Sequence, residues 1–529
     1  MSDFPEKENS VAEDEGSTVF SDPTIHKDAK AKNKKLLPKI IAGLLALCVL
    51  AGGTAAVIKF IPTLEENENA STSESETVTV KALETDDIST VSVTNDSGVT
   101  ELYSETEYET ENTGSSEAQT TETVIWYTKQ VDKSLTSSLA IENVVDAVAN
   151  ISATKEITKK TAAECGLDKA ALKAVVTPKE EEKYTVLIGD ASPDNTGYYL
   201  QIEGEEKIYL VSTDIYDSLQ FDILDFASTD MISGVVNTDN EFDEYYTDGE
   251  LTKFDRLVIK GNNFEDTVII EPNTGGEISK LYNFLVVSPQ KRLAENFDDF
   301  TTLFQNGLSP SGAYSYDVSA ASLKKFGLDK PDIWAEMRLK NKTFIFKLTE
   351  QSDGSYAAIG TDSKMIYKVS PDYIGDIADI KSTDIYSSAI FMTHIDDIAN
   401  FTVKVSDKEY SFDVSKNEAD EDGEEPEEKY NVVINGKTLK SQNFQNYYGN
   451  CLGLDIIDFK TENVHNKPKI SFVITNTDGT TTGVEFTYVT ATRYQASVNG
   501  VPLGKITATS VDKIIDLTED VANGKTVNY

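Results

Sequence analysis

The residue types that most often do chemistry in proteins are sparse in this chain of 529 residues. Its three histidines, His26, His394 and His465, are too far apart in the sequence to suggest a zinc site or a histidine-based catalytic triad. No phosphate-binding loop, dinucleotide-binding glycine turn or nucleophile elbow occurs. The sequence therefore predicts no catalytic residue, no cofactor and no metal site, and a protein that is not an enzyme.

Two polar stretches are the remaining candidates for ligand binding. Residues 418–428 carry eight acids around Gly423 and Pro426, but they lack the alternating ligand spacing of a calcium loop, which favours a solvated charge run over a weak calcium site. Residues 190–197 link two expected strands, and their Gly-Asp and Pro-Asp-Asn steps are ordinary turn chemistry. Four tyrosines could line a carbohydrate surface, although packing in strands and helices explains them more simply: Tyr198, Tyr199, Tyr447 and Tyr448.

One apolar run organises the whole chain. It extends from Ile40 to Ile58, nineteen residues without a charge. As a helix it would measure roughly 28 Å, close to the roughly 30 Å of a bilayer core, which predicts a single transmembrane helix. Only Lys59 and then several glutamates follow the run, whereas six lysines precede it: Lys27, Lys30, Lys32, Lys34, Lys35 and Lys39. This asymmetry predicts a cytoplasmic N-terminus and a large domain outside the cell membrane.

Two other interpretations of the apolar run are weaker. A cleaved signal peptide would need a shorter apolar core, and its best cleavage site, Thr54-Ala55-Ala56, is followed by more apolar residues. A lipoprotein would need a small residue before its cysteine, and Cys48 is preceded by Leu47.

Composition limits the classes of partner. The net charge is −42, and the first 39 residues account for only −1, which leaves −41 for the rest. A surface of this sign repels nucleic acid and anionic lipid headgroups, so we expect no nucleic-acid partner. Beyond the apolar run the chain has only Cys165 and Cys451, which is no disulfide framework, so hydrophobic cores must hold the fold.

Three stretches of the chain repeat one pattern of motifs. The first two copies share Gly-Leu-Asp-Lys, beginning at Gly166 and Gly327, and an Ile-Tyr-x-Val-Ser strand end. The third copy aligns Pro468 with Pro331, because each lies 38 residues before its strand end; Gly453-Leu454-Asp455 resembles the motif but comes too early. Eight residues serve as structural markers of the repeat: Gly166, Leu167, Asp168, Gly327, Leu328, Asp329, Pro331 and Pro468.

Each copy also predicts the same order of elements. The opening strands are expected at residues 88–93, 254–259 and 398–403. Apolar residues at helical spacing then predict a covering helix in each copy: Leu139 to Ile151; Ile278, Leu281 and Leu285; Phe444 to Leu452. After further strands, a short capped helix is expected at Thr213, at Ser370-Pro371 and at Ser510.

These patterns predict an α+β fold, a single N-terminal transmembrane helix followed by three repeated units of antiparallel sheet with covering helices. The acidic tracts 104–123 and 418–428 would lie at solvent-facing hairpin tips, the first of them disordered. The expected organisation is a disordered cytoplasmic tail, the span, an extracellular linker, two repeat units and a diverged third: 1–39, 40–58, 59–77, 78–235, 250–390 and 396–529.

Several of these features together resemble a known family. They are the lysine-flanked span, the segment from Gly327 to Pro331, the Leu187-Ile188-Gly189-Asp190 strand that leads to Gly197, and the Ile-Tyr-x-Val-Ser strand ends. From about Ile88 onward they resemble the bacterial domain-of-unknown-function family numbered forty-three forty. The resemblance implies an envelope protein of the kind often encoded beside an ABC-type permease, its ATPase and a gliding-motility-type auxiliary subunit. It implies no catalytic residues.

Two functions of different class follow as expectations. The first is a membrane-anchored extracytoplasmic scaffold or accessory protein, without catalysis, of an envelope assembly such as an ABC-type transporter, with its permease subunits as partners. The alternative is a cell-surface binding module or sensor for a wall polymer, a small ligand or a cation.

Overall fold

A computed structural model describes the chain over five stretches: residues 77–111, 119–276, 278–417, 426 and 428–528. The expected cytoplasmic tail, the span from Ile40 to Ile58 and nearly all of the expected linker lie outside these residues, as does most of the acidic run 418–428. Among the residues that are described, no helix is both long and apolar enough to cross a membrane.

The first unit is built on a nine-stranded antiparallel sheet. Its strands are β1 (Val78–Ala82), β2 (Ile88–Asn95), β3 (Gly98–Glu111), β4 (Gln119–Thr128), β5 (Asn150–Ile157), β6 (Leu172–Pro178), β7 (Tyr184–Ala191), β8 (Tyr198–Ile202) and β9 (Ile208–Val211). They lie in the order β1-β5-β9-β8-β7-β6-β2-β3-β4. Helix α1 (Ser138–Ala149) follows β4, and α2 (Thr213–Leu219) follows β9.

The second unit repeats this plan after a two-stranded ribbon, β10 (Tyr246–Thr247) and β11 (Glu250–Leu251). Its strands are β12 (Arg256–Lys260), β13 (Val268–Pro272), β14 (Phe284–Ser288), β15 (Arg292–Leu293), β16 (Gly312–Ser315), β17 (Ile333–Leu339), β18 (Lys342–Glu350), β19 (Tyr356–Gly360) and β20 (Ile366–Val369), in the order β15-β14-β13-β12-β17-β18-β19-β20-β16. Its helices are α3 (Asp298–Asn306), α4 (Ala320–Lys325) and α5 (Pro371–Ile374).

The third unit has eight strands in its described residues. They are β21 (Ile398–Val405), β22 (Lys408–Lys416), β23 (Tyr430–Ile434), β24 (Lys437–Leu439), β25 (Pro468–Asn476), β26 (Thr481–Thr490), β27 (Arg493–Val498) and β28 (Val501–Thr507), in the order β24-β23-β22-β21-β25-β26-β27-β28. Helix α6 (Ser441–Leu452) follows β24, and α7 (Ala508–Ala522) follows β28.

The predicted repeat is visible as a common sheet topology. In each unit the opening strand pairs with a strand that lies beyond the covering helix in the chain, as β2 with β6, β12 with β17 and β21 with β25. In the first two units the strand that directly follows the covering helix, β5 or β16, pairs with β9 or β20. In the described part of the third unit a single bridge, between Asp458 and Lys505, takes that position on β28.

The expectation of an α+β fold is wrong. The described protein is mostly β, with four antiparallel sheets, 42% strand and 23% helix. Long segments bury every second side chain, as β17 does from Ile333 to Leu339, and this period of two is that of a strand. Only α1, α6 and α7 of the described helices have twelve residues or more, so the helices are local covers on extended sheets.

The covering helix of the second unit was predicted at the wrong place. Ile278 has a positive φ of 68°, Leu281 is exposed, and Leu285 lies in β14. The segment Phe284–Ser288 is rich in β-branched and aromatic residues, which favour a pleated surface. The covering helix is α3, which buries Phe300, Leu303 and Phe304 at helical spacing.

Of two further local expectations, one is confirmed over the described residues and one needs correction. The acidic tract after Ser104 lies in a long hairpin, as predicted, since β3 and β4 pair from Leu102 with Thr128 to Glu111 with Gln119. The turn between these strands lies outside the described residues. The last helix begins at Ala508, two residues before Ser510, because the side chain of Thr507 accepts a hydrogen bond from the Ser510 backbone and caps the helix.

The second and third units share one hydrophobic core. Ile278, Leu285 and Leu293 of the second unit belong to the same buried cluster as Phe401 and Phe472 of the third. Across this junction the Lys280 ammonium lies 2.8 Å from a carboxylate oxygen of Asp478. The shared core and this ion pair fix the second and third units against each other. The first unit joins the second through Tyr316, whose hydroxyl donates to the carbonyl of Ile223 at 3.2 Å.

Candidate partner-binding surface

The residues with possible reactive chemistry are not brought together. His26 lies outside the described residues, and His394 and His465 are exposed. The Nδ1 atom of His394 accepts a hydrogen bond from the Asp396 backbone and so begins a helical turn. No group of three or more histidines, cysteines or acids in the described ranges is arranged to hold a metal ion.

The two cysteines outside the apolar run are buried free thiols in different units. Cys165 packs in a small cluster with Leu167 and Tyr199. Cys451 lies in the core of the third unit, where burial raises the pKa of its thiol well above the usual value. A thiol that stays protonated is a poor nucleophile and metal ligand, so both cysteines act as small core residues.

The repeat markers hold the backbone of the sheets. Gly166 and Gly327 both take positive φ, 71° and 76°, at the ends of short helical stretches, a conformation that glycine adopts without steric strain. Leu167, Leu328 and Pro331 are buried, whereas Asp168 and Asp329 are exposed and Pro468 begins β25. The structure therefore uses these residues to position strands.

The loop between β7 and β8 is a self-contained turn. The hydroxyls of Ser192 and Thr196 both donate to Oδ1 of Asp194, at 2.6 and 2.9 Å. The hydrogen bond from Ser192, and after it the one from Thr196, lowers the pKa of Asp194 to about 2. Because the carboxylate is satisfied within its own turn, the loop shows no group directed at a ligand.

The tyrosines are packing residues. Tyr447 and Tyr448 are buried; the Tyr447 hydroxyl lies 2.7 Å from that of Thr518, and the Tyr448 hydroxyl donates to the Thr393 carbonyl at 2.8 Å. Tyr199 is buried, and Tyr198 is half-buried and stacks on a neighbouring ring. These four residues do not form a common surface.

A surface that the sequence did not reveal lies on the second unit, where three apolar side chains are mostly exposed. Met231, Val236 and Tyr373 have exposed fractions of 56%, 54% and 60%. Met231 lines both of two adjacent grooves, of about 550 and 340 Å³; Val236 lines the first and Tyr373 the second. We call this region the Met231 surface.

The connection that carries Met231 is held tightly against the second unit. The backbone of Ile232 exchanges two hydrogen bonds with Leu308, at 2.8 and 3.0 Å, and Val235 donates to the carbonyl of Phe304. A Cβ atom on Gly234 would lie 2.0 Å from the Phe304 carbonyl oxygen, and one on Gly307 would lie 2.2 Å from that of Ile232. Two glycines therefore allow the close approach that presents Met231 on a fixed backbone.

The groove beside Tyr373 has acidic charge. Asp299 and Asp376 line it together with Leu303, Leu308 and Ile377, and no basic side chain is part of this lining. Partial burial, with the nearby charge of Asp376 and then Asp298, raises the pKa of Asp299. Acids around an apolar groove suit a contact segment that is apolar in the middle and basic at its rim.

The sequence signal for this surface is a group of four large apolar residues in one short connection after Ser228-Thr229-Asp230: Met231, Ile232, Val235 and Val236. The structure buries Ile232 and Val235, whereas it exposes Met231 and Val236. Their exposure depends on how the connection packs on α3, which no local pattern specifies.

Comparison with known proteins gives a family and no described activity. The family model for the domain of unknown function DUF4340 matches residues 126–240, from within β4 to just beyond Val236. No curated protein matches the chain. The match confirms the family resemblance over a shorter part of the chain than the motifs had suggested, and it includes Gly166, Leu167, Asp168 and Met231. Residues 126–240 of this protein are therefore similar to the DUF4340 family of domains of unknown function.

Proposed function

We propose that this protein is a membrane-anchored extracytoplasmic scaffold that docks other proteins of an envelope assembly, such as the permease subunits of an ABC-type transporter. The observation that carries the proposal is the Met231 surface, where Met231, Val236 and Tyr373 are exposed beside two grooves. Adjacent exposed apolar side chains with a charged rim are typical of protein contact sites.

Anchoring is supported by composition. The uncharged run from Ile40 to Ile58 has the length of a membrane span, and the lysines that precede it favour a cytoplasmic N-terminus. In this proposal everything after Lys59 lies outside the cell membrane and meets partners there.

The packing of the units supports a positioning role. Because the second and third units share one core, a partner held at the Met231 surface would keep a fixed orientation to the third unit. The acidic lining at Asp299 and Asp376 indicates which partners fit: contact segments that combine apolar residues with lysine or arginine.

Site-specific photo-crosslinking in native membranes tests the proposal. The full-length chain would carry a photoreactive benzophenone amino acid in place of Met231, and cross-linked proteins would be identified by mass spectrometry. The control places the same amino acid at Tyr108, an exposed residue on the β3–β4 ribbon that lies outside the Met231 surface. We expect a discrete envelope protein to cross-link at position 231 and not at position 108. Equal or absent cross-linking at the two positions would contradict docking at this surface.

A variant adds a second measure. Tyr373→Ala removes an exposed ring from the rim of the second groove. We therefore expect it to lower cross-linking at position 231 by about tenfold while the free energy of unfolding stays within about 0.5 kcal/mol of the wild type.

The alternative function, a cell-surface binding module, is favoured by a separate observation, a groove beside Phe284.

A further inference from the structure

A large groove lies on the second unit, apart from the Met231 surface. Its volume is about 830 Å³, within the range of roughly 300 to 1,000 Å³ that holds small ligands. It lies where the chain enters β12 and where the β13–β14 hairpin turns. Its lining includes aromatic, amide, hydroxyl and carboxylate groups, for example Phe284, Asn283, Thr252 and Asp255.

The aromatic part of the groove is rigid. Phe284 is half-buried and stacks on Phe254, with ring centroids 4.3 Å apart and planes 17° apart. Phe297 meets both rings edge-on, at centroid distances of 5.3 and 5.8 Å. Three rings that hold one another in this way keep Phe284 in one orientation at the groove.

The polar part is also held in place. The Tyr245 hydroxyl donates to both carboxylate oxygens of Asp255, at 3.0 and 3.1 Å, and accepts from the Lys340 backbone. Within the hairpin, the Asn273 side chain donates to the carbonyls of Ser279 and Tyr282. Asn283, on the same hairpin, has an exposed side chain whose amide offers both donors and an acceptor.

Charge limits the class of ligand. The lining contains Lys253, Glu244 and Asp255, so neither sign forms a cluster that would select an anion or a cation. An aromatic ring beside neutral amide and hydroxyl groups suits a ligand with an apolar C–H face and hydroxyls around its edge, because the ring face is electron-rich and the edge groups both donate and accept. We propose that this groove binds a neutral sugar unit of an oligosaccharide, with Phe284 beneath the ring and Asn283 at its hydroxyls.

This inference does not depend on docking at the Met231 surface, and its test is separate. Full-length protein in detergent would be titrated with two neutral trisaccharides, tri-N-acetylchitotriose and maltotriose, and with the anionic trisaccharide of galacturonic acid, and binding would be followed by saturation-transfer NMR. We expect at least one neutral trisaccharide to bind, and the anionic one to bind more weakly.

Variants assign the binding to the groove. Asn283→Ala changes an exposed side chain and should leave the fold intact, and Phe284→Leu keeps an apolar side chain without an aromatic face. We expect each to weaken binding of the neutral trisaccharide by about tenfold, the equivalent of about 1.4 kcal/mol. The matched control is Asn263→Ala, an exposed asparagine of the same unit outside the groove. The proposal is overturned if neither neutral trisaccharide binds at about 10 mM, if the anionic one binds more tightly, or if both variants bind like the control.

Discussion

The guanidinium carbon of Arg292, in the second unit, lies 4.4 Å from the ring centroid of Tyr386 and 5.2 Å from the ring centroid of Phe459 in the third unit. Arg292 is only 3% exposed. Its Nη2 atom donates to Oε1 of Gln290 at 2.7 Å, whereas Nε and Nη1 have no hydrogen-bond partner among the described residues. Burial lowers the pKa of Arg292. Tyr386 and Phe459 also contact each other edge to face, with ring centroids 5.4 Å apart. A buried cation thus lies against the touching aromatic rings of two units and is incompletely satisfied.

This arrangement predicts that the volume of Arg292 matters more than its charge. Arg292→Ala should destabilise the protein by about 3 kcal/mol because it leaves a cavity beside the two rings. Arg292→Met fills much of the same space without buried donors, so its stability should lie within about 1 kcal/mol of the wild type. Urea unfolding of the two variants checks this. Equal destabilisation by both would mean that the cation itself supports the junction.

A second prediction concerns Tyr447, whose hydroxyl lies 2.7 Å from that of Thr518 between α6 and α7. Thr518 also donates to the carbonyl of Ile514, so it keeps one partner when Tyr447 changes. We expect Tyr447→Phe to cost about 1 kcal/mol and Tyr447→Ala about 4 kcal/mol, measured by thermal or urea unfolding. Tyr488→Phe, at an exposed position, serves as the control and should change stability by less than about 0.5 kcal/mol.

The close approach at Gly189 gives a third prediction. A Cβ atom there would lie 2.0 Å from the carbonyl oxygen of Cys165, and a backbone atom cannot move aside as a side chain can. Gly189→Ala should therefore destabilise the first unit by about 3 kcal/mol. Gly204 has a positive φ of 91° and open space around it, so Gly204→Ala should cost only the backbone strain of about 1 kcal/mol. Similar unfolding midpoints for the two variants would refute this account.

Asp194 predicts a defined dependence on pH. Its pKa is lowered to about 2 by the hydroxyls of Ser192 and Thr196, whereas an unfolded aspartate has a pKa of about 4. A carboxyl with a depressed pKa adds stability that is complete above pH 4 and is lost as the pH falls toward 2. The difference in urea midpoint between wild type and Asp194→Asn should therefore shrink over this range. A constant difference from pH 7 to pH 2 would show that the carboxylate contributes nothing.

Asp299 predicts opposite effects on stability and on docking. Partial burial and the charges of Asp376 and Asp298 raise its pKa, so its ionised form is disfavoured in the folded protein and stability falls as the pH rises through that pKa. Asp299→Asn removes this repulsion, and we expect an unfolding midpoint at pH 7 that is equal to or above that of the wild type. Cross-linking at position 231 should nevertheless fall, because a basic partner loses its counter-charge. Unchanged cross-linking would separate Asp299 from the docking site.

The sequence by itself determined the features that depend on neighbouring residues. Glycine at positions 166 and 327, and Asn499-Gly500 at a hairpin tip, all take the positive φ that local turn chemistry requires. The order of opening strand, helix and closing strands could likewise be seen from repeated motifs, because each copy carries its own caps and turns.

Tertiary structure decided what depends on contacts between distant residues. The apolar residues from Ile278 to Leu285 fit either period, and pairing of β14 with β13 placed the end of this segment, from Phe284 on, in a strand. The same holds for Met231, which is exposed because two glycines allow its segment to pack closely on α3, and for Arg292, which is buried against Tyr386 and Phe459. Burial is a property of the packed chain, so the sites proposed here exist only once the units have assembled.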